Sequence, residues 1–449
     1  MTWFGFRSAS AAAPAMIAAG LVFVWPLPHV IALRNSFLVL LLLWVACDFF
    51  RHKAFVVPRA GQGSVIAVLA AFVCWLFVVA FLIDGNPYNS LAEIKSQWLP
   101  IFISFLAGLL LVWDLQSRNV EFRVIVRPLF WSLLALATLQ LGVGYLPAIL
   151  RNELGGHFVG IFDHKANVTY VNAITASLLL ADSIAINPAR RLLGLNWPTW
   201  VAAFAIVLLT TYLSGARNGV VVILVMLLMA FILHVHGLRG STKQKIWGVF
   251  AVLTIFISVA IWAMLKSDAR WSRFLATAAV AWNIDAGINW VNVEAKSLPL
   301  ALDGLPVEQT AYERISWARY AVRLIAEHPL GTGVSRSSFR GLVAQKFGDV
   351  LAAHSHNGYL DLALSLGLPA LFLWIAFLIA LSRQGYTAYF AGQQAAGLAL
   401  LFLIAGFAVR AFLDSILRDH MLEEFMFFAG LLVAATSRNR VSEGDIIRE

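Results

Sequence analysis

VIAVLAAFVCWLFVVAFLI, residues Val65–Ile83, contains no charge, no amide and no proline. A bilayer core about 30 Å thick takes roughly 20 apolar residues per helix, because inside lipid every backbone N–H and C=O must find its partner within the segment. The run therefore reads as a membrane-spanning helix, and it has many counterparts. Comparable runs occupy Trp98–Trp113, Leu129–Leu146, Val168–Ile186, Trp200–Leu213, Val220–Val235, Ile246–Leu265, Leu362–Ala380, Ala395–Leu413 and Met421–Ala435. With a pair in the first fifty residues, divided near Pro28 or at Arg34, the sequence predicts about twelve helices and an all-α polytopic membrane protein. The first apolar stretch runs from Ala11 into Pro26 and Pro28 rather than to a small-residue cleavage site, and is expected to be retained.

Composition agrees with lipid as the main solvent. Of 449 residues 60% are hydrophobic and 13% charged, against about 25% charged in a soluble domain. Mean hydropathy is +0.79. A net charge of +9 raises the question of nucleic acid, but the Lys and Arg fall in short clusters between apolar runs and form no basic face. Cys47 and Cys74 both sit inside apolar runs, which excludes a disulfide framework or a CxxC metal site.

The basic clusters set the orientation. With the N-terminus inside and the faces alternating, one side's segments carry 16 Lys and Arg, and the short segments opposite carry 7: Arg34, Lys95, Arg151, Lys165, Arg217, Arg410 and Arg418. The positive-inside rule makes the first side cytoplasmic and leaves both termini inside. Trp25, Trp98, Trp113, Trp200 and Trp247 lie at span ends, where amphipathic rings favour the headgroup region. The expected organisation is helices 1–9 over residues 1–265, an external loop over 266–361, helices 10–12 over 362–436, and a cytoplasmic tail at 437–449.

The loop from Lys266 to Asp361 is the only extended polar stretch, and the chemistry is expected there. Its charges nearly balance, so an anion site must come from particular arginines. Tyr312–His328 reads as an amphipathic helix, with Ile315, Ala318, Val322 and Ile325 at helical spacing before Pro329-Leu330-Gly331 stops it. Arg319, Arg323 and Glu327 share one face, which predicts an Arg323–Glu327 ion pair. Arg314 points about 140° away from Arg319 at 100° per residue and has no evident local partner, so it is either solvated or reserved for a ligand.

Ala353-His354-Ser355-His356-Asn357-Gly358-Tyr359 leads into the next span. One reading is a helix start capped by Ser355 or Asn357; the other is a general base, since imidazole titrates near neutrality. His354 and His356 alone lack the third and fourth ligands of a zinc site, and there is no HExxH pattern, so no metal is expected. Ser214-Gly215-Ala216-Arg217-Asn218-Gly219 forms a tight turn on the same external face. Its flanking glycines leave the guanidinium accessible, as binding a phosphate-bearing headgroup requires; the alternative is a snorkelling arginine.

Taken in order, Arg217, then Glu313-Arg314-Ile315-Ser316-Trp317, then His328-Pro329-Leu330-Gly331-Thr332-Gly333, then His356-Asn357 resembles the bacterial O-antigen ligase family. That family's signature is a His followed by Asn, Ser or Gln, nine residues and a Gly. His356-Asn357, Gly358 to Leu366 and Gly367 fit it without a gap. The likeness covers roughly Trp200 to Ala380, and Gly156-His157-Phe158-Val159-Gly160-Ile161-Phe162-Asp163-His164 looks like the family's external segment before a mid-chain span.

The resemblance implies a GT-C-like helical fold whose long loop, with short helices in it, is periplasmic. It implies transfer of glycan from an undecaprenyl diphosphate-linked O-antigen donor to lipid A core oligosaccharide at the periplasmic face of a Gram-negative inner membrane. It implies His356 as catalytic base and Arg217, Arg314 and Asn357 as substrate-binding residues, with no cofactor and no metal. Two arginines could carry the charge that Mg²⁺ carries in other transferases, and no acidic DxD stands in the loop.

Three rivals carry different expectations. Related protein O-oligosaccharyltransferases usually hold a substantial soluble domain after the last span, where this sequence has Thr436 to Glu449. O-antigen polymerases typically show two sizeable external loops. A secondary transporter calls for internal repeats and intramembrane ionisable residues, of which Asp182 is the main example here.

Overall fold

The computed structural model describes residues 2–52, 62–150, 160–185, 191–237, 273–348, 350–392, 394–417 and 419–436. The expected span Ile246–Leu265, the tail at 437–449 and Gly156–Val159 lie outside them. Among the described residues the elements are helical, save one isolated antiparallel bridge between Leu300 and Pro306.

In chain order they are α1 (Thr2–Val24), α2 (Ile31–His52), α3 (Gln62–Val78), α4 (Pro87–Glu93), α5 (Leu99–Ser117), α6 (Arg123–Leu139), α7 (Leu146–Leu150), α8 (Lys165–Ile184), α9 (Trp197–Leu213) and α10 (Arg217–Gly237). After the undescribed stretch follow α11 (Phe274–Trp282), α12 (Val293–Lys296), α13 (Gln309–Glu327), α14 (Ser338–Phe347), α15 (Gly358–Phe390), α16 (Gln394–Leu413) and α17 (Asp419–Ala435). The break between the first two helices falls at residues 25–30, so the division is at Pro28 and Arg34 belongs to the first turn of α2.

Seven stretches among the described residues are long and apolar enough to cross a bilayer: Ile31–Arg51, Gln62–Ile83, Pro87–Ser117, Arg123–Leu150, Arg217–His234, Gly358–Phe390 and Ala395–Leu413. The chain is a multi-pass membrane protein. Ala12–Val24 and Trp197–Leu213 are apolar but shorter. Two further expected spans, α8 and α17, form as helices but carry polar side chains. Asn167, Thr169, Asn172, Thr175, Ser177 and Asp182 on α8 are all buried, as are Glu423 and Glu424 on α17. These helices are wrapped by others, so protein rather than lipid solvates them, and they need not be uniformly apolar. Asn172 illustrates this: its amide donates to Thr210 and Thr211 Oγ1, each at 2.9 Å, across to α9.

Close helix crossings use small residues, as expected where lipid gives no hydrophobic drive between helices. A Cβ at Gly108 of α5 would overlap the Phe427 carbonyl of α17, and one at Gly430 of α17 would overlap the Phe105 carbonyl. The same device joins α15 and α16, where a Cβ at Gly397 would stand 2.5 Å from the Gly385 oxygen.

Polar contacts group the helix ends into two sets, as the alternating topology requires. At one end Arg34 pairs with Glu423 at 3.4 Å, Asn167 donates to the Pro26 carbonyl at 3.4 Å, and Arg217 pairs with Glu308 at 3.7 Å. At the other, Arg118 meets Asp48 at 3.3 Å, Gln116 donates to Ala434 O at 3.1 Å and Gln384 to Thr436 Oγ1 at 2.9 Å. The long loop sits at the first end.

That loop is a folded cap with its own core, centred on Trp290, Trp317, Tyr320, Phe339 and Val343. The Trp290 and Tyr320 rings lie 4.7 Å apart, and Trp317 Nε1 donates to Trp290 O at 2.7 Å. The buried face of α13 runs through Tyr312, Ser316, Trp317, Tyr320, Ala321 and Leu324, not along Ile315, Ala318 and Val322 as aliphatic spacing suggests. Aromatic rings win because they bury more area per residue. Ile325 is buried too, while Val322 is 46% exposed. Arg323 pairs with Asp285 at 2.7 Å in place of Glu327, across the cap rather than along the helix.

Candidate functional site

Under the cap, at the loop-bearing end of the helices, opens a cavity of ≈ 450 Å³ whose wall includes Lys165, Arg217, Arg314, His356, Asn357 and Asp414. Its remaining surface is largely apolar, from Val221, Phe274, Trp282, Ile315, Phe412 and Leu413. The predicted site residues, far apart in sequence, thus converge on one space.

Each is placed by backbone chemistry that its neighbours explain. Gly215 turns the chain with φ +62°, a conformation open to glycine at no steric cost, and Ser214 Oγ accepts from Ala216 N at 3.2 Å. Arg217 then starts α10. Gly219 lets α10 approach α8, since a Cβ there would overlap the Thr169 methyl. Glu308 has two tasks: Oε1 faces Arg217 at 3.7 Å, while Oε2 accepts from Ala311 N at 2.6 Å and caps α13. Arg217 is thereby coupled to the helix that carries Arg314. On that helix Arg314 reaches toward Leu413, its Nη1 3.4 Å from the carbonyl oxygen.

Asn357 is the N-cap of α15, its Oδ1 accepting from Tyr359 N at 3.1 Å and Leu360 N at 3.2 Å. Its Nδ2 donates to Phe412 O at 3.0 Å, so the amide is spent on holding the two helix ends together. His356, one residue before, has φ +57°, rare for a residue with a Cβ and typical of positions fixed by their surroundings. Its ring stacks on Trp317 at 5.4 Å and 15°, and His354 meets it edge-on at 4.2 Å. Nδ1 lies 3.4 Å from Asp414 Oδ1.

Asp414 is the residue that sequence reading missed. Burial would raise its carboxyl, but the His356 hydrogen bond, the Arg314 and His356 charges and the Ser415 N–H together outweigh that and hold it well below the usual carboxylate range. It is therefore an ionised acceptor that can fix the imidazole with Nδ1–H toward it, leaving Nε2 for another partner. Lys165, at the first turn of α8, also went unassigned and adds a third cation to the wall. Arg319 and Arg336 are not part of the wall: Arg319 lies over the ring of the wall residue Trp282 at 5.4 Å, and Arg336 pairs with Glu93 at 3.1 Å.

The signature glycine has a structural explanation. Gly367 interrupts α15 with φ +84° and ψ +169°, a region essentially closed to other residues, and a Cβ there would overlap the Leu330 carbonyl carbon. Through that gap the segment His328–Gly333 crosses the helix: Leu368 N donates to Pro329 O at 2.8 Å, and Thr332 N to Ser365 O at 3.0 Å. The break thus ties α15, which carries His356 at its start, to the end of α13, which carries Arg314. Trp75 of α3 adds a bond to Leu366 O at 2.7 Å.

A group that can take a proton faces, across one cavity, cations that can hold an anionic leaving group. That is the equipment of a group transfer away from a phosphate. No group of three or more His, Cys, Asp or Glu placed to hold a metal occurs among the described residues. No curated protein matches the chain. A family model does: residues 202–375, a stretch that includes Arg217, Arg314, His356 and Gly367, match the model described as O-antigen ligase, so the chain carries an O-antigen ligase family domain.

Proposed function

We propose that the chain is a metal-independent membrane glycosyltransferase that moves O-antigen polysaccharide from undecaprenyl diphosphate to lipid A core oligosaccharide. The reaction would take place at the periplasmic face of the inner membrane, with both termini cytoplasmic. The observation that carries the proposal is His356, paired with Asp414, opening onto the same cavity as Arg217 and Arg314.

In the proposed step a hydroxyl of the core sugar attacks the anomeric carbon of the donor glycan. Its proton passes to His356 Nε2, while Asp414 holds the other ring nitrogen and stabilises the imidazolium. The bond from the anomeric carbon to the diphosphate oxygen breaks, and its electron pair leaves on the diphosphate. Arg217 and Arg314, with Lys165 beside them, neutralise that growing charge from a wall where water is largely replaced by apolar side chains. Glu308 is the resting partner of Arg217 that the diphosphate would displace. Asn357 acts here by seating His356 through its cap and its bond to Phe412 O. The apolar wall from Val221 to Phe412 suits the prenyl chain.

The test is transfer in vitro with one lipid-linked glycan donor, offering lipid A core and a second lipid-linked glycan together. Glycosylated core is the expected product, and an elongated lipid-linked glycan would instead identify a polymerase. His356→Ala should lower the rate by roughly 10²–10⁴-fold, the worth of a general base, with membrane insertion intact. Wild-type activity should persist in EDTA; loss reversed by a divalent ion would overturn the arginine-based account.

A further inference from the structure

The cap buries a core of its own, yet one part of it turns leucines outward. Between Pro299 and Val307 the chain doubles back, with Ala301 N donating to Leu305 O at 2.8 Å and Val307 N to Pro299 O at 3.1 Å. Gly304, at φ +75°, closes the tip by donating to Ala301 O at 2.9 Å, and Asp303 Oδ1 accepts from Leu305 N at 3.1 Å. Ala301 and Val307 face inward and are buried. Leu300, Leu302 and Leu305 are 61%, 99% and 54% exposed, and Leu275 on the adjoining α11 is 81% exposed. Single exposed leucines need no explanation, but a group of them on a tip pre-formed by hydrogen bonds marks an interaction surface.

Its position decides the occupant. Asp303 near the tip pairs with Arg273 at 3.2 Å, one residue before α11. Glu308, directly after the hairpin, pairs with Arg217, the first residue of the candidate span Arg217–His234, and its N–H donates to Thr277 Oγ1 at 3.0 Å. The hairpin therefore stands on the end of a membrane helix. Arms of three or four residues reach about 10–13 Å at roughly 3.3 Å per residue, enough to cover the 5–8 Å or so of headgroup zone beside the hydrocarbon. The Arg273–Asp303 pair at its flank neutralises the Asp303 carboxylate, whose lone charge would oppose insertion. A narrow tip of three leucines is far short of the ~800 Å² per partner that a stable protein interface takes, which disfavours a second copy.

We propose that Leu300, Leu302 and Leu305, with Leu275, insert into the headgroup–acyl boundary of the bilayer and form an interfacial foot that seats the cap on the membrane beside the cavity. The partner is the lipid surface. The foot depends on the membrane-embedded helices and not on the reaction, so it stands or falls independently of the glycosyltransferase reading.

The test places a nitroxide at position 302. Cys47 and Cys74 are free thiols, so the full-length protein would carry Cys47→Ala, Cys74→Ala and Leu302→Cys. Because Leu302 is 99% exposed, the label disturbs no packing. In phosphatidylethanolamine and phosphatidylglycerol vesicles, collisions with apolar oxygen should outnumber those with a water-soluble nickel chelate, reversing the ratio found for the free label in buffer. A chelate-dominated signal would put the tip in water and overturn the proposal. A label shielded from both reagents would mean a protein contact and would overturn it as well.

Discussion

At the scale of single residues the proposed chemistry depends on Asp414, which would act through His356 rather than on substrate. With its acceptor kept ionised, the imidazole is held in one tautomer and one orientation, and removing that acceptor leaves the base present but misdirected. Asp414→Asn should therefore lower kcat by on the order of 10²-fold, inside the span set by loss of a general base. The apparent KM for the donor should stay near wild type, because the cations of the wall are untouched. A fall in donor affinity with kcat preserved would make Asp414 an electrostatic member of the phosphate site instead. The depressed carboxyl also has a pH signature. A group whose folded value lies below its unfolded one contributes stability above the unfolded value, about 3.9, and loses it as pH falls through the folded value. The stability gap between wild type and Asp414→Asn, followed by thermal unfolding in detergent, should be present at neutral pH and close on acidification below about pH 4.

At the scale of elements, the break in α15 is the feature with the sharpest expectation. Gly367 occupies a backbone region that costs other residues about 1–3 kcal/mol, and a methyl there also strikes the Leu330 carbonyl. Gly367→Ala should destabilise the protein by at least that amount and loosen the crossing that links His356 to the end of α13. Thermal unfolding checks the first effect. An unchanged melting temperature would show that the segment from His328 to Gly333 moves aside freely. This element also shows what was legible beforehand. The spacing His356-Asn357-x9-Gly367 was visible in sequence, and so were the ends of α13, set by Pro329 and misplaced by three residues at the start, where Gln309 rather than Tyr312 is first. The buried face of α13 was misjudged, because aliphatic periodicity ignores Trp317 and Tyr320, which are buried in the core of the cap. Arg217, Arg314 and His356 could be picked out as unusual in their local settings. Asp414 and Lys165 could not, since neither has a local signal and each joins the site only through folding. Asp414 stands 58 positions from its histidine.

At the scale of the whole molecule, the arrangement of helices makes a kinetic statement. Apolar side chains form most of the cavity wall, and two of them stay largely exposed: Phe412, at the end of the span Ala395–Leu413, is 64% exposed, and Trp282 of the cap is 63% exposed. Beneath the cavity α8 and α16 are joined by the buried Arg410, whose guanidinium donates to Thr169 Oγ1 at 2.6 Å. For the proposed prenyl diphosphate donor, an apolar wall of this kind favours entry sideways from the bilayer, with the diphosphate at the level of Lys165 and Arg217 and the tail left in lipid. Encounter with such a donor would be two-dimensional, and the rate would be governed by the mole fraction of donor in the membrane. In mixed micelles at fixed bulk amounts of enzyme and donor, adding neutral detergent should lower the rate in proportion to the fall in donor mole fraction. Raising all components together should leave the turnover per enzyme constant. A rate that follows bulk donor concentration through such a dilution would mean that the donor is taken up from water, and the open apolar wall would need a different occupant.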